Sequence, residues 1–212
     1  MALFVIGDLH LSLSSDKPMD AFGSDWANYV ERISKGWNAV VDPEDTVIVA
    51  GDISWGMSLA DSLEDFRFLD ALPGKKLLLK GNHDYFWTTV SAMRRFFAEN
   101  SLTTMDFIHN SFAFVEGRAV CGTKGWSFEE WRGLSPQDEK IFKREMARLE
   151  ASLVAAEKAG HKKKIVVLHY PPFYTNAGLP ECEELFAKYG VTQCYYGHLH
   201  GKSRQNAFIG EK

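Results

Sequence analysis

The chain has 212 residues, of which 45% are apolar and 25% charged, the proportions of an ordinary soluble globular protein. This length is most simply a single α/β domain over residues 1–212. The net charge of −4 argues against a broad basic surface for nucleic acid, and no run approaches the ~18 apolar residues of a membrane-spanning helix.

The N-terminus and the cysteines both indicate a cytoplasmic protein. The apolar start of the chain lacks a positively charged segment and ends at Gly7, which is too early for a signal peptide. The cysteines are Cys121, Cys182 and Cys194, which lack metal-binding spacing and are odd in number. We therefore expect free, buried thiols in a reducing compartment.

The first half of the chain predicts strands and helices in alternation. Its short apolar runs are residues 3–6, 46–50 and 76–79. Such runs are typical of strands covered on both faces, as in a parallel sheet. Apolar residues recur at steps of three and four over 26–37 and over 59–72, which predicts a helix in each segment. Ser24 is expected to cap the first helix.

The second half begins with a different pattern. Residues 112–121 contain two apolar runs around Glu116-Gly117-Arg118, which predicts a β-hairpin and therefore antiparallel strands in the middle of the chain. A helix is expected to begin at Ser135, its N-cap, and to stop at Gly160. The apolar run 165–168 predicts a further buried strand.

Polar blocks rich in His, Asp and Asn directly follow the β-rich stretches. They are Asp8-Leu9-His10, Gly51-Asp52, Gly81-Asn82-His83-Asp84, His169 and Gly197-His198-Leu199-His200. In open α/β sheets ligands bind beyond the carboxyl ends of the strands, so these side chains are expected to converge at one edge. Imidazole, carboxylate and amide oxygen suit borderline divalent metals, and the set is too large for one ion. The sequence therefore predicts a site for two metal ions.

Each block also has a structural explanation when it is taken alone. A single histidine after a strand is more often a hydrogen-bonded structural residue, Asp8 could cap a helix or a turn, and Gly51-Asp52 is only a turn signal. The metal site is favoured because it explains all the blocks at once. His198 and His200 can bind different ions only if the backbone turns, which Gly197 and Gly201 permit.

The ordered series of blocks resembles the calcineurin-like metallophosphoesterase superfamily, and the resemblance runs from residue 8 to residue 200. It implies a four-layer α/β/β/α sandwich of mixed sheets with a dinuclear site at one edge. It also implies a metal-dependent hydrolase that acts as a phosphatase or phosphodiesterase on a small phosphorylated substrate. The two ions would be drawn from Mn, Fe, Zn, Co and Ni.

The resemblance also assigns a role to each polar residue. One ion would take Asp8, His10 and His200, the other Asn82, His169 and His198, and the Asp52 carboxylate would bridge them. A hydroxide bridging the two ions would attack the phosphoester. His83 would donate a proton to the leaving oxygen or a hydrogen bond to the phosphoryl group, and Asp84 would orient His83 and raise its pKa.

Substrate contacts are less defined by the sequence. Lys124 and Arg132 are candidates to pair with phosphate oxygens. Aromatic residues after the blocks, including Trp55 and Trp126, are candidates to stack on a base or ring, although most are expected to be packing residues. The segment after Asp52 lacks the arginine that phosphoprotein phosphatases carry there, which favours a small phosphomonoester or phosphodiester.

Two alternatives remain open. A nucleic-acid phosphodiesterase or nuclease would need a local basic groove, for which His161-Lys162-Lys163-Lys164 is the candidate, although a solvated start of a strand is the simpler interpretation. A scaffold with the metallophosphoesterase fold and no activity would usually have lost ligands, whereas all the expected positions are occupied here. Because little sequence follows His200, the chain is either complete or shortened at its C-terminus.

Overall fold

The computed structural model describes residues 1–15, 17, 19–126, 136–174 and 177–200. It divides into two compact units, Met1–Phe107 and Ile108–Lys212, each with its own sheet. The expectation of one domain over residues 1–212 stays a prediction. Within the described ranges, no helix is both long and apolar enough to cross a membrane.

The first unit contains a parallel sheet and α-helices that alternate with its strands. The strands are β1 (Leu3–Ile6), β2 (Thr46–Val49), β3 (Lys75–Leu78) and β4 (Met105–Phe107), and the helices are α1 (Tyr29–Val40), α2 (Leu63–Ala71) and α3 (Val90–Glu99). The strands are adjacent in that order, and Ile6, Val49 and Leu78 lie side by side. The first three strands therefore end level, and the loops that follow them leave the sheet at the same edge.

Phenylalanines hold the core of the first unit together. Phe66 of α2 and Phe97 of α3 have ring centroids 5.0 Å apart, and Phe97 lies 5.1 Å from Phe107 of β4. Phe66 also contacts Phe86, which follows the Gly81-Asn82-His83-Asp84 block, at 5.1 Å. Burial of such rings supplies much of the free energy of folding. The same contacts fix the loop after β3 to the core.

The second unit has a mixed sheet. Its strands are β5 (Phe112–Val115), β6 (Arg118–Thr123), β7 (Lys164–Leu168), β8 (Phe173–Tyr174), β9 (Ala177–Gly178) and β10 (Val191–Tyr196), and its helices are α4 (Pro136–Lys158) and α5 (Pro180–Tyr189). The sheet order is β10-β7-β6-β5, and β8 pairs separately with β9. β5 and β6 form the predicted antiparallel hairpin, whereas β6, β7 and β10 are parallel. Glu116 and Gly117 have φ values of 49° and 71°, as a tight two-residue hairpin turn requires.

The predicted strands agree with the structure to within two residues, but the predicted helix starts do not. The expectation that Ser24 caps α1 is wrong, because Ser24 begins a short 3-10 turn and α1 follows Asn28, whose φ is 52°. The second helix is shorter than residues 59–72 and begins at Leu63. Ser135 lies outside the described residues. The end of α4 before Gly160, which has φ 82°, is confirmed.

The cysteines agree with the expectation of free thiols. Cys121 and Cys182 are buried, and Cys194 is half-buried. Burial raises the pKa of the Cys121 thiol to about 11 and that of Cys182 to about 12. Both side chains therefore remain protonated and unreactive at neutral pH.

Candidate metal centre

In the first unit, the predicted metal ligands lie on loops that continue the sheet. Asp8, Asp52 and Asn82 follow β1, β2 and β3. The backbone N–H of Asp8 donates to the Gly51 carbonyl at 3.0 Å, and that of His10 to the Asp52 carbonyl at 2.9 Å. These hydrogen bonds extend the pairing of β1 and β2 beyond the ends of the strands. The loop backbone is therefore fixed before any side chain is considered.

The backbone of these residues adopts an unusual conformation. Asp8, His10 and Asp52 have φ values of 58°, 44° and 52°, in the left-handed region that residues other than glycine seldom occupy. In the second unit, His198 has φ 71°. Each such residue costs about 1–3 kcal/mol and persists where the surrounding structure imposes it, commonly at functional sites. Four of the predicted ligands share this strain, which supports a functional role for their loops.

Within the first unit, carboxylates and imidazole lie close enough to share a cation. The Nε2 atom of His10 is 3.6 Å from Oδ2 of Asp52, and a ring nitrogen of His10 lies within 4.8 Å of a carboxylate oxygen of Asp8. His10 and Asp52 are 2% and 1% exposed. Buried carboxylates require compensating positive charge. Nitrogen and oxygen donors in this arrangement fit a borderline divalent metal, so the donor set agrees with the metal that the sequence predicts.

Asp84 clamps the ligand loops together. Its Oδ1 accepts hydrogen bonds from the backbone N–H groups of Ile53 and Ser54, at 2.7 and 3.4 Å. Its Oδ2 accepts from those of Asp52 and Gly81, at 3.0 and 2.6 Å. Burial raises the pKa of Asp84 to about 6, against the opposing effect of these donors. The Asp84 carboxylate thus holds the loops after β2 and β3 together, and the expectation that Asp84 orients His83 stays a prediction.

A second buried carboxylate supports the same loops from α2. Asp65 is fully buried, and its Oδ1 accepts from the Leu13 backbone N–H at 2.8 Å. Its Oδ2 accepts from the Ser54 hydroxyl at 2.5 Å. Burial raises the pKa of Asp65, and these hydrogen bonds lower it. Asp65 therefore links the loops after β1 and β2 to helix α2.

Trp55 contacts both histidines of the first unit. Its ring stacks on His10 with centroids 5.1 Å apart and lies 4.5 Å from the ring of His83. The indole N–H donates to Sδ of Met19 at 3.1 Å, and Nζ of Lys17 lies 4.4 Å from the indole centroid. The sequence analysis placed Trp55 among candidate stacking residues without a specific partner. Its position just after Gly51-Asp52 was the available signal.

Gly81 is required by the close approach of two loops. A Cβ atom at this position would lie 2.1 Å from both the backbone nitrogen and Oδ1 of Asp52. Oδ1 of Asp52 also accepts a hydrogen bond from the His83 backbone N–H, at 2.8 Å. The glycine that opens the Gly81-Asn82-His83-Asp84 block therefore allows the Asp52 carboxylate to be seated.

In the second unit, His169 and His198 follow the adjacent parallel strands β7 and β10. Their ring centroids are 5.1 Å apart, and one ring nitrogen of each lies within 4.8 Å of the other. His169 is fully buried, His198 is half-buried and His200 is exposed. The expected backbone turn is made by His198 itself, with φ 71°, and Gly201 lies outside the described residues.

Lys124 and Tyr170 lie beside these histidines. The Lys124 carbonyl accepts from the N–H groups of His169 and Tyr170, at 3.2 and 2.9 Å. The Tyr170 ring is 4.4 Å from that of His198, and Lys124 Nζ lies 5.5 Å from the Tyr170 centroid and 4.8 Å from that of Trp126. Lys124 and Trp126 are thus neighbours of a predicted ligand, whereas Arg132 lies outside the described residues. Sequence reasoning missed Tyr170, although it directly follows His169.

Two lysines of the basic run before β7 form ion pairs within the second unit. Lys164 is 1% exposed, and its Nζ donates to Glu157 Oε2 at 2.5 Å and to the Tyr189 carbonyl at 3.1 Å. Lys162 pairs with the same glutamate at 2.8 Å, and the two lysines lower the pKa of Glu157 to about 2. The His161 ring stacks on Phe114 at 4.2 Å. The expectation of a solvated start of the strand is therefore wrong for Lys164.

Histidines and carboxylates at the carboxyl ends of the strands are a donor set with which an α/β fold can bind metal. The family model for calcineurin-like phosphoesterases matches residues 1–202, and the chain therefore belongs to that family. The family assignment confirms the predicted resemblance, the α/β metallophosphoesterase fold class and the hydrolysis of phosphoester bonds. Members of the family depend on metal, whereas the identity of the metal here stays a prediction.

Solved structures share the fold. The protein TT1561 of Thermus thermophilus aligns with a TM-score of 0.54 at 18% identity, over 92% of this chain and 80% of that one. Phosphopantetheinyl hydrolase (PptH) from Mycobacterium tuberculosis aligns with a TM-score of 0.53 at 18% identity, over 93% and 82%. Such identities show similarity of fold alone.

A curated relative matches part of the sequence. The Gene 66 protein of Mycobacterium phage L5 is 32% identical over 77 residues, which is 36% of this chain. The match spans 37% of the phage protein, so nothing about the whole of that protein transfers directly.

Proposed function

We propose that this protein hydrolyses a small phosphomonoester or phosphodiester with the help of two metal ions. The ligands would be Asp8, His10, Asp52, Asn82, His169, His198 and His200, as the family pattern implies. The observation that carries the proposal is the buried Asp52 carboxylate 3.6 Å from the His10 ring, on loops with left-handed backbone. A structural pair of this kind would not need strained backbone at both residues.

Asp52 and Asn82 have different charges, and the difference matters for the proposed roles. A residue shared by two cations must be an anion, which Asp52 supplies. Asn82 adds a neutral oxygen and so leaves the site positive enough to attract phosphate. When bound, the ions would neutralise charge on the phosphoryl oxygens and lower the pKa of water towards neutrality.

His83 is proposed to protonate the leaving oxygen. Its ring is held beside His10, with centroids 5.6 Å apart, and rests against Trp55. The hydroxyl of Tyr85 lies 3.5 Å from its Nδ1. The product alcohol needs a proton when the phosphorus–oxygen bond breaks, and an imidazole titrates in the useful pH range. Asp84 is proposed as a positioning residue that acts through the loop backbone.

Lys124 and Trp126 are proposed to contact the substrate. The Tyr170 ring contacts both the Lys124 ammonium group and the His198 ring. The positive charge of Lys124 is therefore close enough to His198 to pair with an oxygen of the bound phosphate. Trp126 lies next to the lysine and offers an aromatic face.

The test combines metal content with activity on two substrates. Protein purified without chelator is analysed for metals and assayed on p-nitrophenyl phosphate and bis-p-nitrophenyl phosphate with added Mn²⁺. About two ions per chain are expected. Active protein with a ratio near zero would contradict the metal assignment, and hydrolysis of neither ester would favour the scaffold alternative. Hydrolysis of the diester alone would identify a phosphodiesterase.

The role of His83 is tested by His83→Ala. Because the residue is proposed to move a proton and not to bind metal, kcat should fall by about 10²–10⁴ while the metal content is unchanged. His161→Ala is the matched control, since His161 packs on Phe114 in the second unit and has no assigned role. Loss of metal in His83→Ala would show that the division of roles is wrong.

A further inference from the structure

A pocket of about 770 Å³ lies in the first unit between α1 and the loop that follows β1. Its walls include Ser12, Met19, Trp26, Tyr29, Lys35 and Phe68. The volume is in the range of pockets that hold small organic ligands. No role in metal binding accounts for these residues.

The pocket is connected to the candidate metal centre through its walls. The Trp26 ring meets the His10 ring edge to face, with centroids 5.8 Å apart. The Tyr29 hydroxyl donates to the His10 carbonyl at 2.9 Å, and the Ser12 hydroxyl lies 3.3 Å from the Tyr29 hydroxyl. Met19 accepts the hydrogen bond from Trp55, which packs on His10. Trp26 and Tyr29, which line the pocket, would therefore contact both a molecule bound there and the proposed metal ligand His10.

The chemistry of the walls favours an uncharged aromatic group. Trp26 and Tyr29 are perpendicular neighbours, with ring centroids 5.6 Å apart, and Met19 and Phe68 add apolar surface. Aromatic and thioether side chains favour flat rings. The polar part of the lining includes Asn28, Glu31, Ser34 and Lys35. Because Glu31 offsets Lys35, the pocket has no excess of positive charge for a second phosphate group, but it offers donors and acceptors to a heterocycle.

We infer that this pocket binds the leaving group of the substrate, and that this group is an alcohol carrying a planar nitrogen heterocycle, as a nucleoside does. The inference rests on the proposed phosphoester hydrolysis. In that reaction an oxygen from water bonds to phosphorus, the bond from phosphorus to the alcohol oxygen breaks, and the alcohol oxygen gains a proton. Phosphoester and water thus give phosphate and the alcohol, and the alcohol occupies the pocket.

Two measurements test the inference. In the first, tryptophan fluorescence and calorimetry measure the binding of adenosine to the protein in the presence of a chelator. This measurement does not require the protein to be active. The second compares kcat/KM for adenosine 5′-monophosphate with that for glycerol 3-phosphate. Both esters have a primary alcohol as leaving group, so the comparison isolates the ring. Adenosine is expected to bind, and the nucleotide to be preferred by about tenfold or more.

Ser34→Trp fills the pocket from α1. Ser34 is half-buried, and its hydroxyl accepts only a long hydrogen bond of 3.4 Å from Asn38. The variant should weaken adenosine binding by about tenfold or more and lower the nucleotide preference. Ser91→Trp is the control, because Ser91 is exposed on α3 and does not line the pocket. If Ser34→Trp does not fold, as judged by circular dichroism, Ser34→Leu makes the same test with a smaller side chain.

The outcomes separate the pocket from the chemistry. Hydrolysis of both esters at equal kcat/KM, with no adenosine binding, would overturn the pocket inference and leave the proposed function standing. Adenosine binding that Ser34→Trp removes, in protein that hydrolyses no ester, would overturn the proposed function and support the pocket as an aromatic binding site. Equal effects of Ser34→Trp and Ser91→Trp would also overturn the inference.

Discussion

Gly81→Ala should damage the candidate metal centre, because it adds a methyl group where the loops after β2 and β3 meet. The new Cβ would lie 2.1 Å from both the nitrogen and Oδ1 of Asp52, compared with an ordinary contact of about 3.5 Å. The backbone nitrogen and the carboxylate of Asp52 must therefore move by roughly 1.4 Å, and a displacement of about 1 Å can already lower the rate about 10²-fold. Relief of the overlap should also cost about 1–3 kcal/mol of stability.

The assay combines kcat/KM, metal content and urea unfolding for Gly81→Ala and a matched control. Gly36→Ala is that control, because a Cβ at Gly36 in α1 meets nothing within 4 Å. Helix propensity predicts that this change raises stability by about 0.5–1 kcal/mol and leaves activity unaltered. Wild-type activity and metal content in Gly81→Ala would show that the Asp52 carboxylate is not where the chemistry occurs.

Two further predictions concern buried charged groups. Asp84→Asn places an amide NH₂ where the carboxylate accepts from backbone N–H groups such as that of Gly81, so the free energy of unfolding should fall by about 1–3 kcal/mol and metal binding should weaken. Burial lowers the pKa of Lys76 from 10.5 to about 8. Between these values the unfolded chain binds more protons, so wild-type stability should rise with pH over this interval, and Lys76→Met should remove the rise.

Urea unfolding measures both effects. For Asp84→Asn the control is Asp61→Asn, since Asp61 is exposed and accepts from the Ser58 hydroxyl. Equal decreases in the free energy of unfolding of the two variants would contradict the proposal that Asp84 holds the loops together. For Lys76, parallel stability curves of wild type and Lys76→Met from neutral pH upwards would show that burial does not perturb this amine. The hydrogen bonds from Lys76 Nζ to the Leu72 carbonyl and to Thr104 Oγ1 would then be sufficient to stabilise the charged form of Lys76.

Strands β1, β2, β3 and β7, the β5–β6 hairpin and the ligand-bearing loops could be predicted because each is encoded locally, whereas β4 was not identified. A run such as Thr46-Val-Ile-Val-Ala, followed by Gly51-Asp52, carries both the strand and its end in consecutive residues. The start of α1 could not be predicted in this way. It depends on a left-handed Asn28, which a pattern of apolar residues does not reveal. Helices α3 and α5 have short patterns that the sequence analysis did not identify.

The role of Asp84 depended on tertiary structure. Its partners are Gly81 in its own block and Asp52, Ile53 and Ser54 about thirty residues earlier. Only the adjacency of β2 and β3 brings these backbone N–H groups to one carboxylate. In the sequence, proximity to His83 was the only visible relationship, and the backbone partners of Asp84 in the loop after β2 could not be recognised. Tyr170 was missed for the same reason, since its contact with His198 joins β7 to β10.

The hydrogen bonds that continue from β1 and β2 into the Asp8 and His10 loop have a consequence for heat inactivation. Loops that share their backbone hydrogen bonds with β1 and β2 open only when those two strands separate. Catalysis and native structure should therefore disappear together as temperature rises, without an intermediate range in which folded but inactive enzyme accumulates.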